Sequence, residues 1–419
     1  MPFPRRPLPP MARVRQQLLS EHLADLRWEM RDRLIGAGLG KKIGKGDRIA
    51  ITAGSRGIGG FLELLCGIVD AVKSAGGRPF IIPAMGSHGG ATAAGQEELL
   101  RRLGAKEGNV GAPVQATMET ADLGESESGA VAHVDKLAAE ADGIIVFGRV
   151  KTHPENVEGI ASGLLKMTTV GLGKQAGAQQ AHSHGLWKSV KAVPKMTLAK
   201  SKILFGAAVV ENAYRQPAYI EVAPAHYDAF KDVDERLLDI AKPHVAKIPF
   251  KELDVLVVDE LGKTVSGTGM DLNVIGNWRV KGGPREPNYK RIVALSLTPG
   301  SLGNALGIGL ADYTTERLIK DYDPGATYIN LLTASEPGSM NTREGSLPLA
   351  LPRDRDAIEV ALYSSLAGDH PRICRIKDTA RLDEFWVSEA LLPEVKANPK
   401  LSVLQAPAPW PFDARGDLF

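Results

Sequence analysis

The chain has 419 residues, which is long enough for two or three domains of about 100–200 residues each. Its 51 lysines and arginines nearly balance 49 aspartates and glutamates, so the net charge of +2 gives no overall positive field for nucleic acid or an anionic membrane surface. Apolar runs such as 203–210 are far shorter than the roughly 20 residues of a membrane-spanning helix, so a transmembrane protein is not expected.

The two cysteines, Cys66 and Cys374, lie in apolar surroundings and are too few for a disulfide framework or a thiolate metal site. The first residues contain arginines and prolines but no continuous apolar signal segment. We therefore expect a cytoplasmic protein. Glycine is frequent, with 45 residues, which favours an α/β protein with many loops.

Helix and strand patterns alternate through the first part of the chain. Leucines at helical spacing predict an amphipathic helix over 13–35. The elements predicted after it are strands over 48–53, 78–83, 143–147 and 203–210, and helices over 61–74, 92–103, 134–141 and 222–241. Because such alternation is typical of parallel strands joined by right-handed crossovers, we predict an α/β fold with mainly parallel sheets.

Pro243 and Pro249 mark the expected connection between two domains. We predict an N-terminal α/β domain over 1–248 that carries the cofactor-binding and catalytic residues. A C-terminal α/β domain over 249–419 is predicted to close over an active site in the crevice between the two. Its predicted strands cover 255–259, 292–297 and 327–333, and its predicted helices cover 312–321 and 356–366.

Polar side chains follow three predicted strands of the first domain. Ser55 and Arg56 follow the first strand, Ser87 and His88 the second, and His153 the third. Ligands of parallel sheets bind beyond the carboxyl ends of the strands. A guanidinium can pair with a carboxylate, and a histidine near neutral pKa can exchange a hydroxyl proton. This pattern indicates a hydroxy acid site, although each residue alone could be an ordinary surface residue.

The loop around His88 is rich in glycine and leads into a predicted helix. Free amides at such a helix start can bind phosphate, which makes Ser87, Gly89, Gly90 and Thr92 candidate cofactor-binding residues. The loop is neither a Walker A motif nor a GxGxxG fingerprint, so an ATPase or a standard nicotinamide dehydrogenase is not favoured. A simple turn with a glycine-rich helix cap is the alternative.

A second unusual segment, residues 159–185, combines glycine, lysine and histidine. Lys166 lies among apolar neighbours, where partial desolvation makes a lysine a usable nucleophile, unless its ammonium group extends to water. Lys174 is a further candidate for cofactor binding. His182 and His184 would point in different directions from a helix, so we do not expect both to bind one ion. We expect one of the two, His182 or His184, to be a metal ligand and the other to lie beside the site or at the surface.

These motifs resemble those of the nickel-dependent lactate racemase family, and the resemblance extends over most of the chain. It rests on the arginine loop at Arg56, the Gly-Ser-His motif at 86–88, the post-strand His153, segment 162–166 and His182. Their order and approximate spacing together are more specific than any one motif.

The resemblance implies a nickel pincer nucleotide, a pyridinium mononucleotide whose two sulfurs and one ring carbon hold Ni(II). Carried over by position, His182 matches the nickel ligand, and Lys166 matches a lysine that in some members binds the cofactor covalently. His88 and His153 match the two acid/base histidines, and Arg56 matches a residue that positions the substrate carboxylate. Implied partners are a small-molecule 2-hydroxy acid and the cofactor-biosynthesis proteins.

Several positions differ from relatives that act on lactate, among them Leu164, which replaces the second glycine of their usual Ser-Gly-Gly, and the segment from His153 to Lys166 is longer. Ala53 stands where these relatives often have an acidic residue, and Val274 and Asn277 align with a Gln and a Lys of the lactate enzyme. We therefore predict an isomerase that inverts the C2 carbinol of a 2-hydroxy acid other than lactate, by proton-coupled hydride transfer. A metal-dependent hydrolase on the same scaffold and a non-catalytic cofactor-binding protein are the alternatives.

Overall fold

The computed structural model describes residues 4–55, 58–152, 161–334 and 342–419. Contacts divide the chain into two compact units. The first unit comprises 20–245 and 332–340, and the second comprises 1–19, 246–331 and 341–419. The second unit thus includes the first 19 residues, which the predicted domain of 1–248 had placed with the remainder of the N-terminal half.

In the described part of the chain, the strands are β1 Met11–Gln16, β2 Arg48–Ala53, β3 Arg78–Pro83, β4 Thr120–Glu125, β5 Val131–Asp135, β6 Gly143–Arg149, β7 Ile203–Glu211, β8 Pro217–Pro224, β9 Glu252–Leu261, β10 Asn288–Leu297, β11 Tyr313–Thr315, β12 Leu349–Leu351, β13 Ile373–Asp378, β14 Arg381–Ser388 and β15 Leu401–Ala408.

The α-helices of the same residues are α1 Leu26–Gly36, α2 Phe61–Ser74, α3 Ala93–Arg102, α4 Glu107–Val110, α5 Lys136–Ala139, α6 Leu164–Lys166, α7 Lys174–Ser183, α8 Leu186–Lys200, α9 Tyr227–Ala241, α10 Leu272–Ile275, α11 Trp278–Lys281, α12 Glu316–Asp321, α13 Pro324–Ala334, α14 Asp354–Ser364 and α15 Leu392–Ala397. None of the described helices is both long and apolar enough to cross a membrane.

The first unit is built on a five-stranded sheet of order β3-β2-β6-β7-β8. Its first four strands are parallel, and β8 is antiparallel to β7. Strand β2 is apolar along nearly its whole length because both of its faces are buried. Ile49 and Ile51 pack with α1 and α2, whereas Ala50 faces the cluster formed by α8 and α9.

The second unit is built on an eight-stranded mixed sheet of order β12-β11-β10-β9-β13-β14-β1-β15. The first five strands in this order are parallel, and β14, β1 and β15 are joined by antiparallel pairing. The predicted α/β class with mainly parallel strands is therefore confirmed in both units. Residues 1–19 belong to this unit because β1 lies between β14 and β15.

Two predicted elements are of the wrong type. The region predicted as one helix over 13–35 contains β1 and only then α1, because Ala12 and Val14 are buried while their neighbours Arg13 and Arg15 are exposed, which is the period of a strand. Segment 327–333 was predicted as a strand but lies inside α13. This helix begins at Pro324, a residue type that is favourable in the first helical turn.

Three predicted helices begin too early, because each includes residues of a strand: 134–141, 222–241 and 312–321. In each case a polar side chain defines the true start of the helix. Asp135, His226 and Thr315 accept hydrogen bonds from backbone amides of the first turns of α5, α9 and α12.

Candidate active site

A cavity of about 200 Å³ lies in the first unit at the carboxyl ends of β2, β3 and β6. The prediction that side chains following these strands meet at one edge therefore agrees with the structure for the residues it describes. The cavity is lined by Gly54, Ser55, Ile58, Phe61, Ala84, Met85, His88, Phe147, Gly148, Arg149, Lys151, Ser162, Gly163, Lys166, Met167, Val170 and Gly171.

His88 lines this cavity from the loop after β3. The Oγ atom of Ser55, from the loop after β2, is hydrogen bonded to His88 Nδ1. The side-chain amide of Gln96 in α3 donates to the carbonyl oxygens of Gly86, at 2.8 Å, and of His88, at 3.1 Å. Both the imidazole ring and its backbone are thus held by neighbouring elements, as an acid/base residue requires.

The glycine-rich loop forms a turn and a helix cap. Thr92 Oγ1 accepts a hydrogen bond from the Gly95 amide at the start of α3. Gly89 has a φ of +69°, and a Cβ atom there would lie 2.6 Å from the Gly95 backbone carbon, so this close approach requires glycine. Ser87 is buried, and none of Ser87, Gly89, Gly90 and Thr92 lines the cavity. This geometry fits the turn-and-cap alternative, and the phosphate contact of this loop stays a prediction.

Lys166 also lines the cavity and is the last residue of the short helix α6. Asp234 in α9 accepts hydrogen bonds from the amides of Leu164, at 2.7 Å, and Leu165, at 2.9 Å. A Cβ atom on Gly163 would lie 2.2 Å from Asp234 Oδ1, so a larger residue at 163 would displace the carboxylate. After Lys166 the chain continues into a π-helical turn over Met167–Gly171, a conformation often found at functional sites.

Asp234 is almost fully buried, and this burial raises its pKa to about 7 although the two amide hydrogen bonds oppose the shift. Sequence reasoning missed this residue. It lies inside a helix far along the chain from Lys166, and no local pattern indicates that its carboxylate reaches the 163–166 segment.

Lys166 and His182 are close enough to influence each other. The Lys166 Nζ atom lies 5.2 Å from the centre of the Trp187 ring, within the range of a cation–π interaction. Burial, and secondarily the positive charge of Lys166, lowers the pKa of His182 to about 4. The imidazole of His182 is therefore neutral at physiological pH, which is the state that binds a metal ion. Trp187 is a further residue that the sequence analysis did not identify.

His184 has a different environment from His182. It is exposed at the end of α7, and its Nδ1 atom lies 2.9 Å from the Gln180 carbonyl oxygen. His182 is therefore half-buried and His184 is exposed. Their spacing of two residues predicted that they would point in different directions.

Lys174 does not line the cavity and is fully buried. Its Nζ atom donates to the Pro83 carbonyl oxygen and to Gln96 Oε1, each at 2.8 Å, and lies 3.3 Å from Asp135 Oδ2. Two hydrogen bonds and one ion pair thus surround the ammonium group. These contacts give Lys174 a structural role, and its contact with a cofactor stays a prediction.

Arg149, the last residue of β6, also lines the cavity. Its Nη1 atom pairs with Glu211 Oε2, and Glu211 Oε1 accepts a hydrogen bond of 2.7 Å from the Gly59 amide. The sequence shows Arg149 at a strand end and Glu211 at the end of an apolar strand, but only the parallel pairing of β6 with β7 brings them together.

The predicted residues Arg56 and His153 lie outside the described residues. The described lining contains three cations, Arg149, Lys151 and Lys166, and no aspartate or glutamate. It also contains an apolar wall that includes the stacked rings of Phe61 and Phe147, whose centres are 6.4 Å apart. In the part of the chain that the structure describes, no cluster of three His, Cys, Asp or Glu side chains has the arrangement of a metal site.

Comparisons with known proteins found a family match for the part of the chain that supplies most of the cavity lining. Residues 58–193 match the family described as the lactate racemase N-terminal domain. No curated protein matches the chain. Among solved structures, the chain is similar to the lactate racemase apoprotein from Thermoanaerobacterium thermosaccharolyticum, with 13% identity, a TM-score of 0.49, and coverage of 88% of this chain and 99% of that chain. The match over residues 58–193 confirms the resemblance to the lactate racemase family that the sequence motifs indicated.

Proposed function

We propose that this protein is an isomerase, a racemase or epimerase that inverts the C2 carbinol of a 2-hydroxy acid in the cavity of the first unit. The observation that supports this most directly is the cavity lining. An oriented histidine and three cations lie at the carboxyl ends of parallel strands, in a domain that matches the lactate racemase family. Cations favour an acid substrate, and the histidine can exchange the hydroxyl proton.

In this proposal His88 is one of two acid/base residues. The contact between Ser55 and Nδ1 fixes the ring, so we assign the exchange of the substrate hydroxyl proton to Nε2. His153 is proposed to act on the opposite face of the substrate. Inversion needs such a pair, because in either direction one histidine takes the hydroxyl proton and the other returns a proton. Arg56 is proposed to bind the substrate carboxylate through its guanidinium.

The residues around Lys166 fit the nickel pincer nucleotide of the family. Lys166 presents an amine at the cavity wall, and His182 offers a neutral imidazole in the same region. We propose that Lys166 holds the nucleotide, covalently or by charge, and that His182 is the ligand that the protein gives to nickel. Imidazole suits nickel, and one such ligand is compatible with a cofactor that supplies the other donors itself. When bound, the cofactor supplies the hydride acceptor and donor.

The apolar part of the lining has its own role in this proposal. Met85, Phe147 and Met167 are large apolar residues of the cavity wall. They limit the access of water to the planar 2-keto acid, and they strengthen the charge interactions of the acid/base histidines.

The proteins that make the cofactor are proposed as partners. A metal-dependent hydrolase needs a larger set of protein ligands, for which the described residues contain no suitable cluster.

The test is expression of the full chain together with the cofactor-making enzymes. Intact mass and metal analysis should then show one nickel per chain, and chiral chromatography of a panel of 2-hydroxy acids should show interconversion of enantiomers or epimers. In deuterated water, a hydride mechanism predicts little deuterium at C2. Rapid entry of deuterium at C2 would favour carbanion chemistry, and a fully loaded protein that inverts no member of the panel would contradict the proposed function.

A further inference from the structure

Arg149 is held at the cavity wall by a carboxylate on the neighbouring strand. Its Nη1 atom pairs with Glu211 Oε2, while Glu211 Oε1 accepts the Gly59 amide at 2.7 Å. The two side chains are only 17% and 8% exposed. Because Glu211 is itself anchored to the backbone, the guanidinium group is oriented before any ligand arrives, which lowers the entropic cost of binding.

The pair with Glu211 uses only part of the donor capacity of Arg149. A guanidinium carries five N–H groups, and among the described residues Glu211 is the one side chain that pairs with Arg149, through Nη1. Arg149 also belongs to the cavity lining, which would not be required if it served only to connect β6 with the Gly59 loop. Its remaining N–H groups are therefore available to a ligand with oxygen acceptors.

The charge of the cavity supports the same conclusion. Three cations line it, and the described lining contains no aspartate or glutamate. A partly buried excess of positive charge is unfavourable unless an anion is bound. The proposed function already assigns the substrate C1 carboxylate to Arg56 and the cofactor attachment to Lys166. Arg149 has Glu211 as its protein partner but no ligand group assigned to it.

We propose that Arg149 forms a subsite for a second oxyanion in this cavity, a carboxylate or a phosphate group. This inference rests on the proposed function for the identity of the first anion. The second oxyanion has two chemical sources: the far carboxylate of a 2-hydroxy diacid, or the phosphate of a pyridine mononucleotide. The planar fork of an arginine recognises both groups through parallel hydrogen bonds.

The test is a binding measurement on the full chain without cofactor, by titration calorimetry at constant ionic strength. Two ligand pairs each differ by one oxyanion: malate with lactate, and nicotinic acid mononucleotide with its nucleoside. The variant Arg149→Met removes the charge at similar side-chain length. Arg236→Met is the matched control, since Arg236 is an exposed residue of α9 that pairs with Glu221 and does not line the cavity.

We expect the wild-type chain to bind the more highly charged member of at least one pair about tenfold more tightly or better, the effect of a charge-assisted hydrogen bond. Arg149→Met should abolish this preference, and Arg236→Met should retain it. The pair that responds identifies the source of the oxyanion. If Arg149→Met does not fold, as checked by circular dichroism, Arg149→Lys replaces it and should keep only part of the preference.

The inference is overturned if the wild-type chain binds none of the four probes or shows no preference within either pair. It is also overturned if the preference remains in Arg149→Met. These readouts do not depend on turnover. A charge preference that depends on Arg149 in a protein without racemase activity would count against the proposed function alone. Racemase activity without that preference would count against the oxyanion subsite alone.

Discussion

The carboxylate of Asp234 binds the backbone amide of Leu164, two residues before Lys166. A second hydrogen bond, to the Leu165 amide, uses the other carboxylate oxygen. Helix α6 is too short to be stable by itself, and Asp234 satisfies amides that its first turn leaves without intrahelical partners. The position of Lys166 in the cavity is therefore set by a residue of α9.

Replacing Asp234 should destabilise the first unit. Asp234→Ala leaves two buried amides without acceptors, and we expect a loss of about 1–3 kcal/mol in the free energy of unfolding near pH 6. Asp234→Asn keeps one acceptor oxygen and should cost less. Urea denaturation followed by circular dichroism measures both changes. Equal stability of wild type and Asp234→Ala would show that these two hydrogen bonds do not hold the segment.

The pH dependence of stability should also report on Asp234. Its pKa is raised by burial from 3.8 to about 7, so between these values the native state retains a proton that the unfolded state has released. The contribution of Asp234 to the free energy of unfolding therefore falls as pH rises from about 4 to about 7 and is constant above that. Subtracting the pH profile of Asp234→Asn from that of the wild type should isolate this slope. A difference that rises with pH would mean that the native carboxylate has a lowered pKa.

The buried ion pair of Lys174 and Asp135 should be essential for stability. Burial lowers the pKa of Lys174 and raises that of Asp135, so each group depends on the other to remain charged. Lys174→Met leaves Asp135 buried without its cation, and we expect a loss of about 3–5 kcal/mol in urea denaturation. Lys195→Met is the control, because its pair with Glu127 is exposed, and it should change stability little. A stable Lys174→Met protein that fails only to bind cofactor would contradict this expectation and support the cofactor-binding role predicted from the sequence.

His88 should be required for the reaction and not for loading of the cofactor. His88→Ala should lower the rate of 2-hydroxy acid inversion about 10²–10⁴-fold while nickel content is unchanged, since a positioned acid/base residue contributes to that extent. Ser55→Ala removes the hydrogen bond to His88 Nδ1 and should have a smaller effect on the rate. Near-normal inversion by His88→Ala would remove this residue from the mechanism.

The two histidines of α7 should differ in nickel retention. His182→Ala should lose nickel from the purified protein, because the partly buried, neutral imidazole near Lys166 is removed. His184→Ala should retain it, since His184 is exposed and bonded to the Gln180 carbonyl oxygen. Metal analysis after gel filtration measures both. The reverse order would assign the ligand to His184, and full retention by both variants would exclude a ligand role for either.

The elements that sequence patterns predicted best are those whose own residues determine them. Strand β2 and helix α2 occupy the predicted ranges 48–53 and 61–74, because an apolar run buried on both faces and an apolar helical stripe are local signals. Strand β15 gives no such signal, since most of its residues are exposed and it depends on pairing with β1. Tertiary pairing decides the structure there.

The residues of the candidate site likewise divide into those that local sequence signals indicate and those that depend on tertiary contacts. His88 and Lys166 could be found because strand ends and glycine-rich segments are visible in the sequence. The residues that orient the site could not. Asp234 and Glu211 act on partners brought near them only by the folded chain, and each resembles an ordinary charged residue of its own element. Lys174 was visible in the same glycine-rich segment, but its burial and its pair with Asp135 could not be read from the sequence.

The position of β1 between β14 and β15 affects the order in which a growing chain can fold. Residues 11–16 leave the ribosome long before their partners at 381–388 and 401–408 are made. Pairing of such distant segments closes the longest loop in the sheet and is intrinsically slow. Residues 20–245 can form their own sheet during synthesis, whereas the second sheet remains incomplete until residues 401–408 have been made. Deletion of residues 1–19 should therefore leave β15 without the strand that joins it to the sheet, and expose the edge of β14 to aggregation.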